Sequence, residues 1–166
     1  MEREFQSHTF EPIFDGNSKI LILGTFPSVK SRENNFYYGH SQNRFWSVLA
    51  EILGTETPKS IPQKRQMLLE NNIAIWDVVG SYEISNSADM SIKNVEPNDI
   101  GIILENADIK TIYANGKTAE KLYNKYLLKQ TGKEITALPS TSPANATFSK
   151  ERLIKAWKII KEDLEK

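Results

Sequence analysis

The 166-residue sequence contains no cysteine. That excludes a disulfide framework, a thiolate nucleophile and any cysteine-bound zinc or iron–sulfur centre. Histidine is scarce as well. His8 and His40 are the only two, too few for a histidine-rich metal site, and neither a metal nor a cofactor is expected. No apolar run approaches the ~20 residues of a membrane span. The opening stretch Met1–Phe10 lacks the apolar segment of a secretory signal. A cytoplasmic protein with no membrane role is the expectation. Net charge is missing too, with 21 Lys+Arg against 21 Asp+Glu. Bulk charge would therefore not hold this chain on nucleic acid, and any such contact must come from a local face. What remains is ordinary globular composition, 39% hydrophobic and 25% charged. With no repeat, low-complexity tract or linker, residues 1–166 read as a single domain, expected to be a monomer.

Strand-like and helix-like pieces alternate along the chain. Lys19–Gly24 is a β-branched and leucine run after the turn signal Asp15-Gly16-Asn17, and reads as a buried strand. Asn43–Leu53 carries Phe45, Trp46, Val48, Leu49, Ile52 and Leu53 at helical spacing. Ile61–Asn71 reads as a second helix with Pro62 in its first turn. Ile73–Val79 is strand-like, and Asn98 is placed to cap a helix over Asp99–Ala107. Ile109–Asn115 and Glu134–Leu138 read as strands, with a helix over Lys117–Leu128 between them. Ser149 then caps an amphipathic helix with Leu153, Ile154, Trp157, Ile160 and Leu164 on one stripe. Such alternation predicts an α/β fold, a three-layer α/β/α sandwich around a four-stranded parallel sheet. Ligands of these folds bind beyond the carboxyl ends of the strands. That rule selects the loops after Gly24, Val79 and Leu138.

The first loop opens with Gly24-Thr25-Phe26-Pro27-Ser28 and runs into Phe36-Tyr37-Tyr38-Gly39-His40-Ser41-Gln42-Asn43-Arg44-Phe45-Trp46. Rings beside amides and an arginine suit a nucleobase, which needs a face to stack on and edges to hydrogen-bond. Phe45 and Trp46 have core spacing. Three consecutive aromatics, Phe36, Tyr37 and Tyr38, cannot all point inward, so at least one should line a pocket or the surface. The last loop, Leu138-Pro139-Ser140-Thr141-Ser142-Pro143-Ala144-Asn145, is a stiff turn with hydroxyl donors suited to phosphate oxygens, or else a plain strand-to-helix turn. Gly116-Lys117-Thr118 imitates the end of a phosphate-binding loop. Thr111 stands where that motif requires glycine, so the pattern fails.

These segments resemble the uracil-DNA glycosylase superfamily, and within it most nearly the DNA-deoxyinosine glycosylases. Trp76-Asp77-Val78-Val79, Val95–Ile100 and Ala114–Ala119 stand in the same order as in that family, so the likeness covers almost the whole chain. Mismatch-specific uracil and thymine glycosylases carry Gly-x-Asn-Pro in the first motif, and that Asn positions the attacking water. Phe26 stands there in this chain. The resemblance instead implies Asn43 as the catalytic residue, as in the deoxyinosine branch, with Tyr38 stacking the flipped base. It further implies base contacts from Gly24, Thr25, Phe26, Ser28 and His40. DNA contacts would come from Ser140, Thr141, Ser142, Asn145 and Arg44. Asp77, at the carboxyl end of a predicted strand, and Asp89, in the polar stretch Ser85–Ser91, are reserve catalytic candidates. The classical uracil enzymes have a histidine in the last motif and this chain has none, which shifts the expected base from uracil towards hypoxanthine.

The expected reaction is base excision from double-stranded DNA. The enzyme would flip out a damaged or mismatched base and hydrolyse its N-glycosidic bond through an oxocarbenium-like transition state. A neutral Asn43 could orient water onto so electrophilic a centre. As a simple alternative, Asn43 caps the helix that follows it. Other readings are a uracil or mismatch glycosylase, and a damaged-DNA or nucleotide-binding module without chemistry.

Overall fold

A computed structural model describes residues 3–7, 10–26, 36–85 and 92–166. Four strands form a fully parallel sheet: β2 (Ile20–Gly24), β3 (Ile73–Asp77), β6 (Thr111–Asn115) and β7 (Ile135–Leu138), in the order β3-β2-β6-β7. Every residue of β2 and β3 is buried. Consecutive strand side chains point to opposite faces, so unbroken burial means that both faces are covered. The covering layers are α1 (Phe45–Leu53), α2 (Ile61–Glu70), α4 (Lys117–Tyr126), α6 (Lys150–Trp157) and α7 (Ile159–Leu164), together with the single turns α3 (Gly101–Leu104) and α5 (Leu128–Thr131). Helix α1 packs on α6, α2 on β3, and α4 on β6 and β7. This is the expected α/β/α sandwich.

Several helix ends follow their sequence signals. Ser60 caps α2 by accepting from Gln63 N–H, and Pro62 sits in the first turn, where its missing N–H leaves nothing unpaired. Ser149 caps α6 through Arg152 N–H. The predicted last helix is broken into α6 and α7 at Lys158.

Two expectations differ from the structure. Between β3 and β6 the chain forms β4 (Val79–Ser85) and β5 (Ile92–Pro97), which pair antiparallel with each other and with β1 (Arg3–Ser7). This second, three-stranded sheet shortens the predicted strand 73–79 to β3. Asn98 does not cap a helix with its side chain. Its Nδ2 donates to the Asp77 carbonyl at 2.8 Å, while Asp99 accepts from Gly101 N–H at 3.1 Å and starts the single turn α3. A reach back to β3 satisfies a buried strand end better than it would serve one short turn.

At the outer edge of β3, Ile13 and Ile75 exchange a pair of backbone hydrogen bonds, each 3.0 Å. The same segment receives Trp76 Nε1 on the Phe10 carbonyl at 3.3 Å and the Tyr37 hydroxyl on the Glu11 carbonyl at 2.6 Å. Residues 10–13 thus strap that edge to the aromatic block ahead of α1.

Candidate active site

The carboxyl ends of β2, β3 and β6 open into a cavity of about 190 Å³. Its floor is Gly24 and Asp77, register partners on neighbouring strands. Thr25 and Phe26 continue from β2, Asn115 ends β6, and Ser140, Thr141 and Ser142 follow β7. Tyr37, Tyr38 and Asn43 complete the wall from the segment before α1.

Gly24 has to be glycine here. A Cβ would stand 2.4 Å from Asp77 Oδ1 and 2.9 Å from the Tyr38 hydroxyl, closer than real Cβ contacts come. Asp77, buried at 4% exposure, therefore lies against the backbone of the first motif. Val78 and Val79 N–H donate to the Gly24 and Thr25 carbonyls at 2.8 and 3.0 Å. The ladder between β2 and β3 thereby runs on into the loop and holds it.

The aromatic run divides in a way its sequence leaves open. Phe36 and Tyr37 are buried, Phe36 stacking on Trp46 at 5.9 Å and meeting Tyr37 edge-on at 5.7 Å. Tyr38 has a φ of 52°, a left-handed conformation that few residues other than glycine adopt. Its ring lies flat on Phe45, stacked at 4.1 Å and 17°, at the border of the aromatic cluster and the cavity. The Tyr38 hydroxyl is buried without a well-formed hydrogen bond among the described residues. Desolvation, helped by the nearby Asp77 charge, pushes its pKa well above the ordinary phenol value, and the neighbouring Asn115 side chain offsets this only in part. Burial, with Asp77 adding to it, raises the Tyr37 pKa in the same way. Both phenols are neutral at physiological pH.

Asn43 is placed by a tight turn. Its N–H donates to the His40 carbonyl at 2.9 Å, and Gln42 N–H donates to His40 Nδ1 at 3.0 Å. Asn43 Oδ1 accepts from Phe45 N–H at 2.9 Å, which ties off the start of α1. It also accepts from the Thr141 hydroxyl at 2.9 Å. An amide oxygen has two lone pairs, and both are engaged. Asn43 therefore pins the first residue of α1 and lines the cavity at once.

Thr141 is fully buried and faces inward rather than towards a phosphate. Besides donating to Asn43, it accepts from Asn115 Nδ2 at 3.0 Å and sends its own N–H to Asn115 Oδ1 at 3.0 Å. Asn115 was not singled out in the sequence. It stands at the carboxyl end of a strand that periodicity identifies, and the edge rule applied there selects it. Arg44 is occupied as well. Its guanidinium donates to the carbonyls of Phe148, Ser142 (2.9 Å) and Asn145 (3.2 Å), clamping the loop after β7. Trp157 Nε1 braces the same loop from α6 through the Pro139 carbonyl at 2.9 Å.

Of the sequence candidates, Gly24, Thr25, Phe26, Tyr38, Asn43, Asp77, Ser140, Thr141 and Ser142 meet on one cavity. His40 is outside its lining and shapes the turn instead. Asn145 lies in an adjoining groove of about 690 Å³ with Lys117, Ser140, Ser142 and Phe148. Ser28 and Asp89 fall outside the described residues. Among the described residues no group of three or more His, Asp or Glu converges as a metal site would require.

A family model described as the uracil DNA glycosylase superfamily matches residues 11–161. The sequence is 34% identical over 145 residues to a protein named hypoxanthine DNA glycosylase from Methanosarcina barkeri, covering 86% of this chain and 90% of that one. A protein of the same name from Methanosarcina acetivorans matches with equal identity and coverage. Among solved structures, a solution NMR structure of a candidate uracil DNA glycosylase from Methanosarcina acetivorans superposes with a TM-score of 0.83 at 33% identity. That match covers 98% of this chain and 100% of the other.

Proposed function

The chain belongs to the uracil DNA glycosylase superfamily, and from that premise we propose that it is a DNA glycosylase that removes hypoxanthine from deoxyinosine in double-stranded DNA. The observation that carries this reading is the meeting of Tyr38 and Asn43 on one small cavity at the carboxyl edge of the sheet. The cavity is small beside the roughly 300–1,000 Å³ of sites for larger ligands, in keeping with one flipped base. The names of the two relatives support hypoxanthine as that base.

In this reading Tyr38, backed by Phe45, stacks the flipped base, while Gly24, Thr25 and Phe26 border it. Flipping is least costly at a weakened pair such as one containing hypoxanthine. Breaking the glycosidic bond leaves positive charge on the sugar and negative charge on the base. Asp77 favours the first. Asn43 is the catalytic residue. Ser140, Ser142 and Asn145 lie along the cavity rim and the adjoining groove, where the DNA backbone would run. Among the described residues no helix is long and apolar enough to cross a membrane. In this reading the enzyme acts in the cytoplasm, as a monomer.

The test is incubation with duplexes carrying one deoxyinosine, deoxyuridine or deoxyxanthosine, followed by alkaline cleavage at abasic sites. Cleavage at deoxyinosine is expected to dominate. Excision of uracil alone would overturn the substrate. Tight deoxyinosine binding with no abasic product would replace the enzyme with a binding module.

A further inference from the structure

We infer that Asn43 works on the departing base as a hydrogen-bond donor, through Nδ2, and that Thr141 is the positioning residue that sets this polarity. The inference rests on the glycosylase reading above and names the working atom of the same site.

Two backbone N–H groups decide the matter, because neither can accept. Phe45 N–H faces the Asn43 amide at 2.9 Å, so the facing atom is Oδ1. Thr141 N–H faces the Asn115 amide at 3.0 Å, so the facing atom there is also Oδ1. That turns Asn115 Nδ2 onto Thr141 Oγ1 at 3.0 Å. The Thr141 hydroxyl thus accepts from Asn115 and spends its one proton on Asn43 Oδ1 at 2.9 Å. Flipping either amide would set donor against donor. Thr141 is fully buried, so no solvent competes for its hydroxyl. The end of Asn43 that remains is Nδ2, with two donors and no lone pair to offer. No described residue accepts from it, and Asn43 lines the cavity.

An amide held this way cannot accept from the attacking water, but it suits the other partner in the bond. As C1′–N9 breaks, its electron pair passes to the base. Water oxygen bonds to C1′ and one water proton is released to solvent. The base anion then takes a proton from solvent, which leaves an abasic sugar and neutral hypoxanthine. Asn43 transfers no proton. Its Nδ2 hydrogen bond to a purine lone pair strengthens as negative charge builds there, which is the condition for lowering the barrier.

The experiment is single-turnover excision from deoxyinosine duplexes by Asn43→Ala, Asn43→Asp, Thr141→Ser and Thr141→Val, with duplex affinity measured alongside. Asn43→Ala is expected to slow excision on the order of 10²–10³-fold. Asn43→Asp keeps an oxygen for Phe45 and Thr141 but turns an anionic acceptor towards the base. It should be at least as slow as Asn43→Ala at neutral pH and recover as the pH falls towards the carboxylate range, where an O–H donor returns. Asn43→Asp that stays within about tenfold of the unaltered protein, with a rate climbing as pH rises, would overturn the inference. Thr141→Ser should keep the rate. Thr141→Val should lower the rate constant with duplex affinity changed less than about threefold. Equal losses in Thr141→Ser and Thr141→Val would overturn the positioning role, and Asn43→Asp still decides the polarity if Thr141→Val fails to fold. Absence of excision by the unaltered protein would instead overturn the glycosylase reading itself.

Discussion

Arg44→Ala is expected to loosen the loop after β7 without removing a DNA contact. The guanidinium makes three hydrogen bonds to loop carbonyls, on Phe148, Ser142 and Asn145. Hydrogen bonds to a charged group are worth about 1.5–3 kcal/mol each when removed singly. The sum overstates the loss, for two reasons. Arg44 is only half-buried and the freed carbonyls recover water. One donor, Nε, is already buried without a partner among the described residues, a penalty that disappears with the side chain. A net destabilisation of about 2–3 kcal/mol follows, or a melting temperature lower by roughly 5–10 °C for a chain of this length. The backbone bond from Arg44 N–H to the Thr141 carbonyl survives in the variant. Arg44→Lys should recover little, since one ammonium cannot span three carbonyls. The assay pairs thermal melting with duplex affinity measured across a salt series. The slope of log affinity against log salt should not change. An unaltered melting temperature together with a slope smaller by about 0.9, the signature of one lost phosphate contact, would refute the clamp and restore Arg44 to the DNA surface.

Two further substitutions probe the cavity floor and wall. Gly24→Ala drives a Cβ to within 2.4 Å of Asp77 Oδ1, and should cost about 1–3 kcal/mol of stability as an overpacked site while lowering excision; denaturant midpoints and single-turnover rates check both. Tyr38→Phe removes a buried hydroxyl that lacks a good partner among the described residues, so stability near neutral pH should change by less than about 1 kcal/mol. Its pH dependence should change more. The folded-state pKa of Tyr38 is raised, so its contribution is complete below the unfolded phenol value near pH ~10 and fades as the pH rises beyond it. Tyr38→Phe should flatten that alkaline decline in denaturant midpoints, with Tyr37 and Tyr123, both also raised, keeping the remainder. An unchanged alkaline slope would count against the burial of the Tyr38 hydroxyl.

The parallel sheet is plain in the sequence because β2 and β3 are apolar at every position but the last of β3, close to the pattern that burial on both faces demands. The second sheet is not. The stretches that become β4 and β5 are separated by the mostly polar residues 86–91, so their pairing cannot be seen locally. For the site, the rule of carboxyl-end loops selected the end of the sheet where the cavity lies, and the family motifs pointed to Asn43, which lines it. Roles were harder to read than places. Thr141 and Arg44 are residue types that usually meet solvent or phosphate, and only the fold brings Thr141 against Asn43, 98 positions away. A polar side chain turned inward by a distant partner leaves no periodic trace. The stacking of Tyr38 on Phe45 was hidden for a related reason, since it depends on a left-handed backbone at a tyrosine, which no local pattern announces.

The strap along β3 bears on how this protein behaves at high concentration. Strand β3 is an outer member of the parallel sheet, apolar at all but its last position. An uncovered edge of that kind is a template for pairing with another chain. Ile13 occupies it with two backbone hydrogen bonds. The opposite outer strand, β7, is guarded differently, by the exposed Lys133 and Glu134 ahead of it and Thr136 within it. Damage to the segment around Ile13 would therefore surface as self-association along that edge.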